Sequence, residues 1–274
     1  MTEPLRGIGD HGIIGDMETA ALVAGDATLD YLCWPSLDSP SIFADLLSPG
    51  DGGAFSITPA LVAPRMLQLY LPETNVLMTR WMAEEGSAEV IDLMPYPDLR
   101  DHFRLNARSL IRQIRVTRGT IDFTVACTPR FDYAREVPAV EAVEGGVRFA
   151  GRALAVRLQA SVPLEATGGA ALARFTLRPG EQAWFVLGED HLAPPDDATV
   201  AANITATVCR MRVSSSPPQE VDRMTSGASA CSRLISELKS VAPNFGNSSA
   251  TTLTSGFMAL SVLPKMSHES RPQA

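Results

Sequence analysis

Lysine is almost absent from this chain of 274 residues: Lys239 and Lys265 are its only two, and the first 213 residues use arginine alone. The net charge is −8, and no run of Lys and Arg gathers the positive charge that phosphate binding needs. A nucleic-acid partner is therefore not expected, and an anionic membrane surface is disfavoured in the same way. No apolar run approaches the roughly 18 residues of a membrane-spanning helix, so no membrane partner is expected either. Cys33, Cys127, Cys209 and Cys231 are far apart and form no CxxC or Cys/His cluster. Such spacing gives neither a zinc site nor a redox motif, and no metal or cofactor is expected. The start, Met1 to Arg6, lacks a basic segment followed by an apolar core, so the expected location is cytoplasmic. What remains is an ordinary globular composition, 45% hydrophobic and 20% charged. A domain of about 200 residues buries roughly 70% of its unfolded surface and needs no disulfide or metal to hold it.

Composition changes after about Val213. Residues 1–213 hold 8 serines and residues 214–274 hold 14, while all three tryptophans and all four tyrosines lie in the first part. The tail reads as a Ser-rich linker, a small helical appendage, or sequence from a shifted reading frame. Its one credible helix places Leu234, Ile235, Leu238 and Val241 on a single face before Pro243. Ser215–Pro218 and Asn244–Thr252 read as loop. We place the main domain at residues 1–195 and the divergent tail at 196–274.

The first part reads as strands. Ile121, Phe123, Val125 and Cys127 alternate with polar residues, as do Leu154, Val156 and Leu158, and again Ala171, Ala173, Phe175 and Leu177. Ala183–Leu187 is apolar on both faces, as in a central strand. Gly25-Asp26, Glu85-Gly86, Arg118-Gly119, Gly168-Gly169 and Pro179-Gly180 supply turns between such runs. This pattern predicts an all-β fold, an antiparallel β-sandwich through about residue 190, with a short, partly helical or irregular tail. Only Ile42–Leu47 looks helical, with Pro40 setting its start.

The motifs carry little chemistry. Gly7–Gly12 matches GxGxxG, but a dinucleotide loop must follow a strand and open a helix, and only six residues precede this one. A turn is the better reading. Gly25-Asp26-Ala27-Thr28 closes a hairpin between Thr19–Val23 and Leu29–Cys33, with Gly25 assigned the unusual backbone conformation. Asp16 and Asp30, near the ends of its arms, either cap turns or contact a ligand or partner. In Cys33–Pro40, the Trp34 ring could stack on a sugar while Asp38 and Ser39 bond hydroxyls beside Pro35; equally, Trp34 could be a buried edge residue. Glu84-Glu85 and Asp196-Asp197 read as solvated loop carboxylates, and no pair reads as the acid and base of a glycosidase. No catalytic residue is assigned.

Taken together, Gly12–Leu47, Tyr70–Leu77, Val90–Pro95, Arg130-Phe131-Asp132-Tyr133 and Pro179-Gly180-Glu181 resemble, in order and spacing, the N-terminal region of the bacterial glucoamylase and trehalase-like enzymes of glycoside hydrolase family 15. The resemblance covers about residues 8–190. It implies an antiparallel super-β-sandwich placed ahead of a catalytic (α/α)6 barrel that hydrolyses α-glucosidic bonds with inversion. No stretch of this sequence resembles the barrel's motifs, so the resemblance implies a non-catalytic domain, inactive as this chain. The partners it implies are an α-glucoside and a catalytic barrel, with Asp16, Asp30, Trp34, Pro35, Asp38 and Ser39 as ligand-facing or interface residues. The alternative is a stand-alone carbohydrate-binding or scaffold sandwich.

Overall fold

The computed structural model describes residues 7–95, 108–191 and 194–215. The chain divides into two compact units, Met1–Arg212 and Val213–Ala274. Beyond the end of one helix, the second unit lies outside the described residues, as do the helix expected at 234–241 and the loop expected at 244–252.

Two antiparallel sheets build the first unit. Strands β1 (His11–Gly15), β2 (Ala20–Ala24), β3 (Leu29–Cys33), β4 (Ser41–Ala44) and β5 (Phe55–Pro59) belong to the first sheet. Strands β6 (Arg65–Tyr70), β7 (Leu77–Met82), β8 (Ser87–Leu93) and β9 (Ser109–Arg118) form half of the second. The chain returns to the first sheet for β10 (Ile121–Cys127), to the second for β11 (Ala139–Val143), β12 (Gly146–Ala150) and β13 (Ala155–Ala160), and again to the first for β14 (Glu165–Thr167) and β15 (Ala170–Leu177). Last comes β16 (Gln182–Glu189), seated between β13 and β9 in the middle of the second sheet. The fold is thus the all-β sandwich that the alternating runs imply. Helix α1 (Asp197–Ser215) follows.

The core lies between the sheets. Every second residue of β10 points inward, and Ile121, Phe123, Val125 and Cys127 are all buried. Trp34, Trp81, Phe55 and Phe185 fill the centre, each at most 1% exposed. Burying one such side chain contributes about 1.5–3 kcal/mol. Phe55 from the first sheet meets Phe185 from the second edge to face, ring centres 6.1 Å apart, a favoured aromatic geometry.

One charged residue crosses this core. Arg112 on β9 is fully buried and forms a fork with Asp92 of β8, Nε to Oδ1 at 2.8 Å and Nη2 to Oδ2 at 3.2 Å. Nη1 donates to the Phe55 carbonyl of the first sheet and Nη2 to the Ala27 carbonyl of its hairpin turn. The guanidinium also lies 4.8 Å from the Phe55 ring centre. Arg112 therefore ties the two sheets together, its charge matched and four of its five N–H donors bonded. Burial pushes the nearby Cys127 thiol up, with the Arg112 charge pulling against that shift.

Three expectations are corrected. Ile42–Leu47 is not helical: Ser41–Ala44 is strand β4, paired with β3 through Tyr31↔Ala44 and Leu32↔Phe43. All four residues are buried, so the run shows no period, and a short apolar run of that kind does not distinguish helix from strand. In the β2–β3 hairpin, the left-handed residue is Ala27 (φ 69°) and not Gly25. Ala27 is buried, and its carbonyl is held by Arg112. The Asp196-Asp197 pair is not simply solvated. Asp196 Oδ1 accepts the Thr199 amide at 2.7 Å and caps α1, while Asp197 accepts the Trp184 indole N–H at 2.6 Å and ties the helix to β16. The GxGxxG match is a short 3-10 turn, Ile8–Asp10, that leads into a strand, as its context implied.

Candidate functional site

The residues singled out in the sequence fall into two places. Asp16, Trp34, Pro35, Asp38 and Ser39 share one end of the first sheet, around the β1–β2 turn and the β3–β4 loop. Asp30 sits apart, on β3, at a register shift where β2 and β3 pair unevenly.

Asp16 is 1% exposed. Its Oδ1 accepts the amides of Glu18 and Thr19 at 3.0 and 2.9 Å, an Asx turn that closes the β1–β2 connection and places Met17 at φ 73°. Its Oδ2 lies 3.4 Å from Arg108 Nε, and Arg108 also binds Glu18. The same guanidinium stands 6.0 Å from the Trp34 ring centre, at the outer limit of a cation–π contact. Arg108 thus joins Asp16 to Trp34. Nothing local in the sequence marked it, because it acts across 92 residues of chain from Asp16.

Trp34 is 1% exposed, and its indole N–H is buried with no hydrogen-bond partner among the described residues. Its backbone N–H donates to Pro40 across the loop at 3.2 Å, and the Trp34-Pro35 peptide is cis. Within the loop, Ser36 Oγ donates to Asp38 Oδ1 at 2.6 Å and lies 2.8 Å from Ser39 Oγ. The Ser36 hydroxyl holds the Asp38 carboxyl below its ordinary range. Pro35 and Asp38 are exposed and Ser39 is partly so. Leu37 is 63% exposed, and its amide donates to the Glu18 carbonyl beside Met17, which is 80% exposed. The end of the sheet therefore carries an exposed apolar tip with carboxylates around it.

Asp30 is buried and accepts from, or shares a proton with, His11 Nε2 at 2.9 Å; His11 Nδ1 meets the Gly7 carbonyl at 2.9 Å. This pair fastens the N-terminal turn to β3. Among the described residues, no group of three or more His, Cys, Asp or Glu side chains converges as metal ligands would.

The Arg130–Tyr133 element has an unusual backbone. Asp132, Tyr133 and Ala134 follow one another at φ 51°, 55° and 67°, one turn of left-handed helix without a glycine. Such residues cost roughly 1–2 kcal/mol each. The turn is closed by paired bonds between Phe131 and Glu136, at 2.8 and 3.0 Å, and is docked on β4 by the Arg130 amide to the Ile42 carbonyl at 2.8 Å. Phe131 is buried, packed where Gly151 leaves room for its ring. Tyr133 is left 45% exposed.

Comparison with known proteins decides the ancestry. The model of the trehalase-like N-terminal family matches residues 3–187. The chain belongs to that family. Over 215 residues it is 29% identical to a trehalase of Mycolicibacterium smegmatis, covering 71% of this chain and 32% of that one. Trehalase 1 of Sulfolobus acidocaldarius is 32% identical over 145 residues, 53% of this chain and 23% of the relative. A trehalase of Thermoplasma volcanium is 24% identical over 177 residues, 64% and 28% respectively. The chain spans about a third or less of the length of these relatives.

In this trehalase-like domain, the other motifs noted in the sequence hold the sandwich together. The Tyr70 hydroxyl bonds both the amide and the carbonyl of Ile13, at 2.7 and 3.0 Å. Asp92 is the partner of Arg112. In the Pro179-Gly180-Glu181 turn, Gly180 adopts φ 87° and donates its amide to Val116, a conformation that suits glycine. No helix among the described residues is long and apolar enough to cross a membrane.

Proposed function

We propose that this chain is the non-catalytic β-sandwich domain of a glycoside hydrolase of the glucoamylase and trehalase-like type, family 15. Residues 1–195 form the domain, residues 196–274 a divergent tail, and the setting is cytoplasmic. In this reading the domain supports a catalytic (α/α)6 barrel acting on an α-glucoside and has no hydrolase activity of its own. The observation that carries it is the match of a trehalase-like N-terminal family to residues 3–187, beside relatives of which the chain covers about a third or less. The geometry of the Trp34 end supports an interface role. Asp16 and Trp34 are buried beneath the loop, and Asp30 is buried apart from it on β3, while Pro35, Asp38 and Ser39 lie next to the exposed side chains of Met17 and Leu37. An apolar tip ringed by polar groups suits docking against another domain.

Glucose release from trehalose and maltooligosaccharides tests the reading. The purified chain is expected to give none. Turnover that disappears when one of its own carboxylates is substituted would overturn the proposal. A stand-alone sugar-binding sandwich would instead show saturable heat with the same sugars in calorimetry.

A further inference from the structure

A β-sandwich of two open sheets has edges, and an edge strand offers unpaired N–H and C=O groups to any other strand. Most edges here are closed. On β1, the outward groups of Ile13 are taken by the Tyr70 hydroxyl, and the Gly15 carbonyl accepts Asn75 Nδ2 at 2.7 Å. On β4, the Ile42 carbonyl accepts the Arg130 amide and the Ala44 amide donates to Gly52. Strand β14 has only three residues. Strand β11 follows Pro138 and carries Glu141 in an ion pair with Arg148 at 3.3 Å.

Strand β6 is different. It runs for six residues with Arg65 as its one charge, and Met66, Leu67 and Tyr70 are 49%, 41% and 44% exposed. The Leu71 amide bonds Val76 in the hairpin to β7. The two-residue period then turns Leu69 and Leu67 toward β7, and Met66, Gln68 and Tyr70 away from it. Among the described residues, nothing meets the outward main-chain groups of those three. The strand is also held rigid. Gln68 Nε2 donates to the Ala24 carbonyl at 3.0 Å and to Thr79 Oγ1 at 3.1 Å, and the Tyr70 hydroxyl is fixed on β1. An edge already ordered loses little freedom when a partner adds to it.

The geometry points to a second copy of this chain as the partner, pairing antiparallel β6 to β6 about a two-fold axis through Gln68. In that register, Met66 faces Tyr70 of the other copy and Leu67 faces its Leu69. Every outward group of Met66, Gln68 and Tyr70 then finds a mate, and no like charges oppose. The flanking prolines select this register. Pro64 and Pro72 have no N–H, and a shift of the axis by one or two residues in either direction sets one of them against a bonding position. Opposed apolar pairs on both faces, in a chain of net charge −8 whose edge lacks acidic residues, favour self-pairing over repulsion. The contact is isologous, as a two-fold dimer requires, and it is independent of the catalytic reading above.

Sedimentation equilibrium of the full chain, up to about 100 μM, tests this in the range where small interfaces associate. The chain is expected to reach the mass of a dimer. Met66→Pro deletes an outward N–H without touching the β7 ladder, and Leu67→Lys places charge on an exposed position; each is expected to give a monomer that melts as the parent does. Val62→Lys, exposed but off the strand, should remain dimeric. Oxidising a mixture of Leu67→Cys and Leu69→Cys chains should yield cross-linked heterodimer well above the level of either alone. A parent monomer at that concentration, or a dimer that persists in folded Leu67→Lys, overturns the proposal.

Discussion

Arg112 and Arg148 both stand on the second sheet and both pair with an aspartate, Asp92 on β8 and Asp190 just after β16, yet they matter very differently. Arg112 lies between the sheets with Asp92, both fully buried, its charge matched by one carboxylate and two further N–H groups bound to main-chain carbonyls across the core. Arg148 lies on β12 at the surface, its Nε 2.9 Å from Asp190 with Glu141 nearby, and the side chains of the pair are 30% and 34% exposed. Asp190, and less strongly Glu141, raise the affinity of Arg148 for its proton, but water competes for each partner. The shortest distances in the two pairs are similar, 2.8 and 2.9 Å. Burial decides what the loss of a partner would cost.

The largest effect expected is from Asp92→Ala, which strands the Arg112 charge in the core. Removing one partner of a buried pair costs about 3–5 kcal/mol, readable in urea unfolding. The double variant Asp92→Leu with Arg112→Met should recover part of that loss. It should stay below the parent, because the Ala27 and Phe55 carbonyls lose their donors at roughly 1–3 kcal/mol apiece. If Asp92→Ala melts with the parent, burial is not what separates the two arginines.

A smaller change is expected from Trp184→Phe, which keeps the ring buried and removes the indole N–H that holds Asp197. A hydrogen bond to a carboxylate is worth about 1.5–3 kcal/mol, and the exposure of Asp197 places this one at the low end. Melting of the variant, with Asp197→Asn as its companion, measures the tie between β16 and α1.

Tyr31 sharpens the comparison with a group of intermediate burial. Its hydroxyl lies 3.4 Å from Cys33 Sγ, and that hydrogen bond, followed by desolvation, pushes its pKa up to about 12 from the ordinary 10. Because the folded state keeps this proton longer than the unfolded chain does, the contribution is complete below pH 10. It falls away as pH rises from 10 to about 12. Absorbance near 295 nm should show one tyrosine ionising late, and Tyr31→Phe should delete that phase. The smallest effect belongs to Arg148→Ala, which should leave the melting temperature within error of the parent.

The strands that face water on one side were the legible part of this fold. In β10, β13 and β15, apolar and polar residues alternate because one face meets the core and the other meets solvent, so the period survives in the sequence. Strand β4 is covered all round and has no such period, and Pro40 ahead of Ser41 suggested a helix start there instead. Helix α1 was hard to read for the opposite reason. Its Thr199, Val200, Ile204, Thr205 and Val208 are β-branched, yet the Thr205 hydroxyl donates to the Ala201 carbonyl and Asn203 Nδ2 to the Thr199 carbonyl, bonds that the helix itself supplies. The Arg112–Asp92 pair has a faint signature, an arginine at the inward parity of a strand whose neighbours Leu110 and Ile114 are apolar. Of the candidate site, the Trp34 loop was visible as a cluster of rigid residues. The reading of Trp34 as a buried edge residue was open in the sequence and holds, but the residue that joins it to Asp16 was not legible, since Arg108 reaches both from a distant part of the chain.

The position of β16 has a consequence for how the molecule is made. It is the last strand among the described residues, yet it stands in the middle of the second sheet, with β11–β13 on one side and β9, β8, β7 and β6 on the other. Until Glu189 has left the ribosome, those two groups of strands have no hydrogen-bonded neighbour to join them, and the apolar residues of each stay partly uncovered. Assembly therefore waits for the final strand. Such a topology folds slowly, through pairings distant in sequence, and it leaves apolar surface and unpaired strand edges on the growing chain until its second sheet is closed.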